Sequence, residues 1–345
     1  MIAYLVRRLL YAIPILIGVN LITFALFFFV NSPDDMARMQ LGQKRVTPEA
    51  IQKWKEERGY DKPMLFNADA KCSKPLFEAT WGRMKIALPN VCQEKLTDTI
   101  FFDKSASMFW FDFGHADDGR DIAREIRVRM GPSLAVTIPS FLIGLAAYLT
   151  FALILAFFRG TYVDFLGVVL CVTAMSISGL FYIIAGQWLI SKLWHLVPIS
   201  GFGYGLDAWR FVVLPVAIGV LAGVGASARL YRTLFLEEIG KDYVRTARAK
   251  GLSETRVLFR HVLHNGLIPV LTGVVVAIPS LFIGSLVMES FFGIPGLGSY
   301  TIEAIRNQDF LVVRAMVFLG AVLYIVGLIL TDFSYTLADP RVRLQ

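Results

Sequence analysis

The sequence predicts an all-α polytopic membrane protein with six transmembrane helices, both termini inside, and a long external segment between the first two helices. Three observations carry this reading. Of the 345 residues, 56% are hydrophobic and only 18% are charged, and the mean hydropathy is +0.59, a composition suited to lipid rather than water. The apolar residues gather into six runs: Leu9–Val30, Leu134–Phe158, Phe165–Ile190, Phe211–Ala228, Leu267–Phe291 and Leu311–Thr331. Each is long enough to cross roughly 30 Å of hydrocarbon at about 1.5 Å per residue. Finally, the short loops between the runs sort by charge.

Hydrocarbon offers no partner for backbone N–H and C=O groups, so each run is read as a helix. Residues 1–30 hold the N-terminal anchor and the first span. Arg7 and Arg8 precede an apolar core there, as in a signal peptide. The run is too long for such a core, however, and no small-residue cleavage site follows, so it is expected to be retained. Six spans place both termini on one side. With that side cytoplasmic, the inner loops receive Arg7, Arg8, Arg159, Arg229, Arg232, Lys241, Arg245, Arg248, Lys250, Arg256, Arg260, Arg341 and Arg343. The short external loops receive Lys192, Arg210 and Arg306, with Arg314 just inside the last span. This is the positive-inside distribution, which exempts the long segment 31–133. The net charge of +7 is thus spread over cytoplasmic loops, unlike the single basic face of a nucleic-acid binder, and no nucleic-acid partner is expected.

Residues 31–133 form the external, periplasmic segment. Thr47-Pro48-Glu49 is a helix start: a capping hydroxyl, a proline at the first helical position and an acid in the first turn. The helix is expected to reach about Arg58 and stop at Gly59. Ile122, Ile126 and Met130 recur at i, i+4, i+8 and lead into the second span. Between them, Met64–Phe109 has no strong periodicity and reads as an irregular insert. It carries Cys72 and Cys92 in a compartment that permits disulfides. They are either bridged, which would contribute about 3 kcal/mol by the chain-entropy model, or two separate thiols. Cys171, in the third span, cannot compete for either. Four histidines and three cysteines lie scattered without ligand spacing, so no metal site is expected. His261 and His264 flank one helical turn beside Arg260 and read as surface or interface residues. No P-loop, nucleophile elbow or zinc-protease signature occurs. The chain is therefore expected to hold no catalytic residue and no cofactor.

Residues 134–345 form the transmembrane core, which includes a cytoplasmic loop, 229–266. Within it, Asp242-Tyr243-Val244-Arg245-Thr246-Ala247-Arg248-Ala249-Lys250-Gly251-Leu252-Ser253 is basic and rich in small residues. One helical signal runs from about Leu236 to Lys250 and ends at Gly251. A second begins at Ser253, with Glu254 in its first turn. The pattern predicts an elbow. Its small residues allow close approach by another protein, and its cations stay hydrated until something docks. Arg245, Arg248 and Lys250 would then meet acids on that partner, or anionic lipid instead.

The elbow resembles the cytoplasmic coupling loop of ATP-binding cassette importer permeases, whose signature is E-A-A, three residues, then Gly. Arg245, Thr246 and Ala247, then Gly251, occupy that register. The stretch R-T-A-R-A-K-G-L-S, followed by Arg260-His261-Val262-Leu263 and Leu267-Ile268-Pro269, is similar to the variant found in the dipeptide/oligopeptide/nickel group. The likeness extends to Tyr4–Leu10 with Ile13-Pro14, to Phe111-Asp112-Phe113-Gly114, and to Glu289-Ser290-Phe291-Phe292 leading into Pro295-Gly296-Leu297-Gly298. It continues at Asp309 and at Asp332, Tyr335 and Asp339-Pro340-Arg341. The insert Met64–Phe109 matches least.

The resemblance implies a B-type permease subunit of the bacterial inner (plasma) membrane. It would work with a second homologous permease subunit, two ATP-binding subunits that carry ATP and magnesium, and a periplasmic solute-binding protein. It implies that the helix Ile239–Gly251 sits in a groove of an ATPase and that Ala247 and Gly251 permit the close approach. The cargo is a peptide or peptide-like compound, or alternatively a nickel or other metal chelate. Glu289 is expected to hydrogen-bond the backbone of the Gly293–Gly298 turn. Asp309 and Arg314 are expected to cap the sixth helix. Gln187, Ser176 and Ser178 are the polar candidates for lining a pathway or for bonding between helices. Two other classes stay open: a secondary transporter, which needs intramembrane acids or a broken-helix site, and a membrane receptor, which gives no reason for the elbow.

Overall fold

A computed structural model describes residues 2–42, 46–65, 78–81, 84–87 and 98–338. Cys72 and Cys92 lie outside the described residues, as do Asp339, Pro340 and Arg341. In chain order the helices and strands are α1 (Ile2–Ala25), α2 (Pro33–Leu41), α3 (Pro48–Arg58), β1 (Glu78–Trp81), β2 (Met84–Ala87) and α4 (Ile100–Lys104). There follow α5 (Ile122–Phe157), α6 (Tyr162–Ser176), α7 (Gly179–Gly186), α8 (Ala208–Ile239) and α9 (Asp242–Ala249). The last are α10 (Glu254–Val257), α11 (His264–Ile283), α12 (Leu286–Phe292), α13 (Leu297–Asn307) and α14 (Phe310–Ala338). The chain divides into two compact units. One comprises Met1–Arg8, Ile126–Glu303 and Val322–Gln345; the other comprises Leu9–Glu125 and Ala304–Ala321.

Five stretches are helical, long and apolar enough to cross a membrane: Leu10–Val30, Ile122–Phe157, Ala208–Ile239, Glu254–Ile283 and Phe310–Asp332. The sixth is a bent pair, Tyr162–Ser176 with Gly179–Leu193, turned by 90°. The expected straight third helix is therefore corrected to a broken one. Ile177 and Ser178 are both extended, with ψ of 127° and 143°. Breaking a helix in lipid orphans a carbonyl, and here the Tyr182 hydroxyl donates to Ala174 O at 2.9 Å to satisfy it. The expected fifth span is also shortened: α11 stops at Ile283 because Gly284 takes a φ of 77°, and Glu289 falls on the separate helix α12. In the first unit, Arg8 pairs with Asp332 at 2.6 Å, which sets the start of the first span beside the end of the last. That pairing requires an even number of crossings.

Small residues let the helices of this unit approach closely. A Cβ on Gly225 of α8 would lie 2.5 Å from the Cys171 carbonyl of α6, so only hydrogen fits there. At their cytoplasmic ends α6 and α8 are joined by an ion pair. Arg232 Nε and Nη2 donate to Asp164 Oδ1 and Oδ2, both at 2.7 Å, and Gly160 N donates to Oδ2 at 3.0 Å.

The other unit is built on Phe24, Phe28, Met36, Ala37, Ile51, Trp54, Tyr60 and Ile100, all buried. The Thr47 hydroxyl accepts from Ala50 N at 3.3 Å to start α3, and Gly59 ends it with φ of 69°. Thr47→Ala is expected to lower stability by about 1 kcal/mol, read as a fall in thermal midpoint. The described residues of the insert include regular structure that its lack of periodicity does not predict. It contains the antiparallel ribbon β1–β2, with Glu78 opposite Ala87, then α4, started by the Thr99 hydroxyl.

Arg314 does not cap α14. Its side chain is 1% exposed, where its guanidinium lies 5.0 Å from the Phe28 ring and 5.7 Å from Phe24 and donates to Ser105 Oγ. A burial this complete leaves nothing for a soluble protein to touch.

Candidate functional site: the cytoplasmic elbow and the membrane cavity

Helix α8 runs well past the membrane span predicted for it and ends at Gly240. Lys241 is extended, and α9 begins at Asp242. The helix expected over Ile239–Gly251 therefore starts at Asp242, because Gly240 and Lys241 interrupt what reads as one helical signal. After Ala249 the chain turns at Gly251, whose φ of 75° belongs to the left-handed region that glycine adopts without strain. Ser253 is extended and α10 follows.

Periodicity divides α9 into two faces. Val244 and Ala247 are buried at 0% and 5% exposure. They pack in a cluster with Ala152, Leu153 and Ala156 of α5, Phe235 and Ile239 of α8, and Val257, Leu258 and Val262 beyond the turn; Leu252 packs on its edge. Ala247 is thus small because α9 lies on its own protein, and it is not a docking contact. Arg248 is likewise engaged: its Nε and Nη2 donate to Glu254 Oε1 and Oε2 at 2.8 and 3.1 Å, clamping α9 to α10 across the turn. Glu238, buried at the end of α8, accepts from Lys241 Nζ and from the Tyr243 hydroxyl. Burial, reinforced by that hydrogen bond to Glu238, pushes the Tyr243 hydroxyl up to about 12, so it remains a donor throughout the physiological range.

The opposite face is free. Asp242, Arg245, Thr246, Ala249 and Lys250 are exposed and recur at i, i+3, i+4, i+7 and i+8, one side of a helix. Arg245 and Asp242 approach to 3.3 Å, but their side chains are 74% and 94% exposed, where an ion pair contributes little. The elbow thus offers a short polar face with excess positive charge, mounted on a packed apolar base.

The membrane part of this unit holds an open cavity of about 840 Å³ walled by α5, α8, α11 and the start of α12. On α8 the lining runs from Pro215 to Leu234, about 28 Å at 1.5 Å per residue, close to the thickness of the hydrocarbon. Its polar side chains are hydroxyls, from Thr137, Ser140, Tyr148, Ser227, Tyr231, Ser280 and Ser285. Gln187, Ser176 and Ser178 are not among the lining residues. Gln187 instead donates to Ile199 O at 3.0 Å and Phe291 O at 3.1 Å, and Ser176 bonds back to Val172 O. Serine and threonine spacing on α5 points to this wall: Thr137, Ser140 and Tyr148 share a face, a signal that a search for rarer polar residues passes over.

The external loop after α11 closes on one carboxylate. Glu289 is 1% exposed. Its Oε1 accepts from Ser133 Oγ at 2.8 Å and Ser285 N at 3.2 Å, and its Oε2 accepts from Ser299 N at 3.1 Å. The backbone of Gly298 also hydrogen-bonds this carboxylate, as expected of the Gly293–Gly298 turn, and Ser133 adds a partner from α5; Gly296 N donates to Ser299 Oγ at 3.0 Å within the turn. Burial pushes the Glu289 carboxyl above its ordinary range, and its hydrogen bonds pull it partly back. A Cβ on Gly296 would strike the same carboxylate, and one on Gly298 would lie 2.8 Å from Leu286 N. Pro295 sits in this turn, just ahead of both. On the other unit, Asp309 Oδ1 accepts from Val312 N at 3.2 Å at the start of α14, and its Oδ2 accepts from Asp117 N at 2.8 Å.

Residues 132–344 match the family described as "Binding-protein-dependent transport system inner membrane component", and residues 1–79 match the N-terminal family of the same systems. The chain is similar to the di/tripeptide transport system permease protein of Pseudomonas aeruginosa (strain UCBPP-PA14), 31% identical over 100% of both chains. It is also similar to the dipeptide transport system permease protein of Escherichia coli (strain K12), 27% identical over 99% of both. A multi-pass core, a basic cytoplasmic elbow and a match spanning most of the sequence agree: the chain belongs to the inner-membrane permeases of binding-protein-dependent, ATP-binding cassette importers.

Proposed function

We propose that the chain is the translocation subunit of an ATP-driven importer of short peptides in a bacterial inner membrane. It pairs with a second permease subunit, two cytoplasmic ATPases and a periplasmic binding protein that selects the cargo. ATP and magnesium are bound and used by the ATPases, and this chain performs no hydrolysis. The peptide assignment rests on the two relatives, both peptide permeases by name, and it is preferred to a nickel or other metal chelate for that reason.

The observation that carries the coupling role is the division of α9 into a buried face and an exposed one. Asp242, Arg245, Thr246, Ala249 and Lys250 meet the ATPase. Val244 and Ala247 bind the helix to the ends of α5 and α8 and to the chain leading into α11. An ATPase that moves α9 therefore moves three cavity-lining helices together, the two-state packing change that alternating access needs.

The test reverses charge on the exposed face. Arg245→Glu with Lys250→Glu is expected to abolish co-purification of the ATPases and ATP-driven peptide uptake, with membrane insertion unchanged. Retention of both activities would refute docking through this face.

A further inference from the structure

Part of the external segment lies at the depth of the hydrocarbon. Arg7 and Arg8 mark where α1 enters lipid. The apolar stretch that follows, Leu10–Val30, has 21 residues, about 31 Å at 1.5 Å per residue, against roughly 30 Å of hydrocarbon. The span has no length to spare, so Val30 marks its outer boundary and Asn20 lies about 15 Å below. Asn20 is 1% exposed, and its Nδ2 donates to Ser105 O at 2.7 Å. On α14, Phe318 lies about 12 Å below Phe310, the first residue of the last span. Its ring meets Phe109 at 5.5 Å and Phe113 at 6.4 Å. Both spans thus place residues 105–113 inside the outer leaflet.

Irregular backbone at that depth needs partners from protein, and these residues have them. Arg314 Nη2 donates to Ser105 Oγ and, at 3.5 Å, to Lys104 O. Met108 N donates to Ser105 O at 3.2 Å, Phe111 N to Met108 O at 3.0 Å and Asp112 N to Ser107 O at 3.3 Å. Gly114 N donates to Asp112 Oδ1 at 3.1 Å, where the chain climbs back toward water. Met108 and Phe113 are 1% and 6% exposed, whereas Trp110 and Phe111 are 80% and 54% exposed. Phe111 holds a φ of 58°, which costs a bulky residue conformational energy, and its ring is still left outside. Rings so exposed find apolar partners in acyl chains, and indole suits the membrane boundary because one edge is polar. We propose that residues 105–113 form a re-entrant wedge in the outer leaflet, with Trp110 and Phe111 in contact with lipid. The wedge tethers the external segment to the bilayer independently of any partner subunit.

The test uses the importer with its second permease subunit and ATPases, reconstituted in phosphatidylethanolamine–phosphatidylglycerol vesicles with or without bromine on the acyl chains. Tryptophan fluorescence is read. The chain has six tryptophans, and subtracting the spectrum of Trp110→Phe from that of the wild type isolates Trp110 from the others and from those of the partner subunits. Most of the Trp110 emission is expected to be lost in brominated vesicles, and none to iodide in the buffer on both faces. Phe111→Trp adds a probe at the next position, which should respond in the same way and serves if Trp110→Phe does not assemble. Emission at these positions that survives bromine would overturn the proposal. Quenching by iodide would then show rings that face water, and quenching by neither would show rings covered by the second permease subunit.

Discussion

Replacing Arg232 with Ala is expected to destabilise the transmembrane unit by about 3–5 kcal/mol, the cost of leaving a buried charge without its partner. Asp164 has a side chain only 9% exposed, against 20% for Arg232. With the guanidinium gone, the carboxylate would keep one short hydrogen bond, from Gly160 N. The pair itself need not be strongly stabilising, because desolvating two ions offsets much of their attraction. The double variant Arg232→Met, Asp164→Leu should therefore recover most of the loss. Thermal melting of the purified protein in nanodiscs checks both, and a single variant that melts like the wild type would refute the argument. Uptake should fall in the double variant even if stability returns, since the bidentate bond fixes the orientation of the two helix ends that apolar packing at Gly225 and Cys171 does not.

The second large effect is at Gly251. Valine there is expected to abolish ATP-driven uptake while leaving the protein inserted. A β-branched residue at a φ of 75° costs about 1–3 kcal/mol. The space around Gly251 is open, so the penalty is conformational and not a clash. The turn relieves it by shifting toward negative φ, which would pull Arg248 away from Glu254 and tilt α9 off its base. Asparagine adopts the left-handed region more readily than other side-chain-bearing residues, so Gly251→Asn should retain much of the uptake. Equal loss in both variants would show that the position is limited by space or contact and not by backbone angle.

The spans were legible because lipid leaves the chain few choices: an apolar run must be a helix, and short basic loops stay inside. The breaks were less so. Ile177-Ser178-Gly179 interrupts the third run with two small residues in a stretch that is otherwise apolar, and hydropathy averages across them. Gly284 ends α11 inside an equally apolar run. In the elbow, composition marked a dozen basic and small residues but did not show that Ala247 and Arg248 contact their own chain. Small size at Ala247 serves internal packing as well as it would serve docking, and the acid that holds Arg248 lies across a turn whose geometry composition does not show. The burial of Arg314, and the Ser133 partner of Glu289, were beyond reach for a different reason, though the bond of Glu289 to its own turn was not. Both come from residues far away in the chain, Ser105 for one and Ser133 for the other, and local patterns carry no trace of such pairings.

The burial of Arg314 also dictates an order of events during biosynthesis. Ser105 and the helix of Phe24 and Phe28 leave the ribosome early, yet the cation they enclose arrives with the final span, 209 residues after Ser105. Phe310, which stacks near Phe27, and Asp309, which binds Asp117 N, come equally late. The periplasmic segment must therefore wait, translocated but incomplete, until translation is nearly finished. Truncation before residue 304 should leave it open to protease from the outside, with the first five spans already in place.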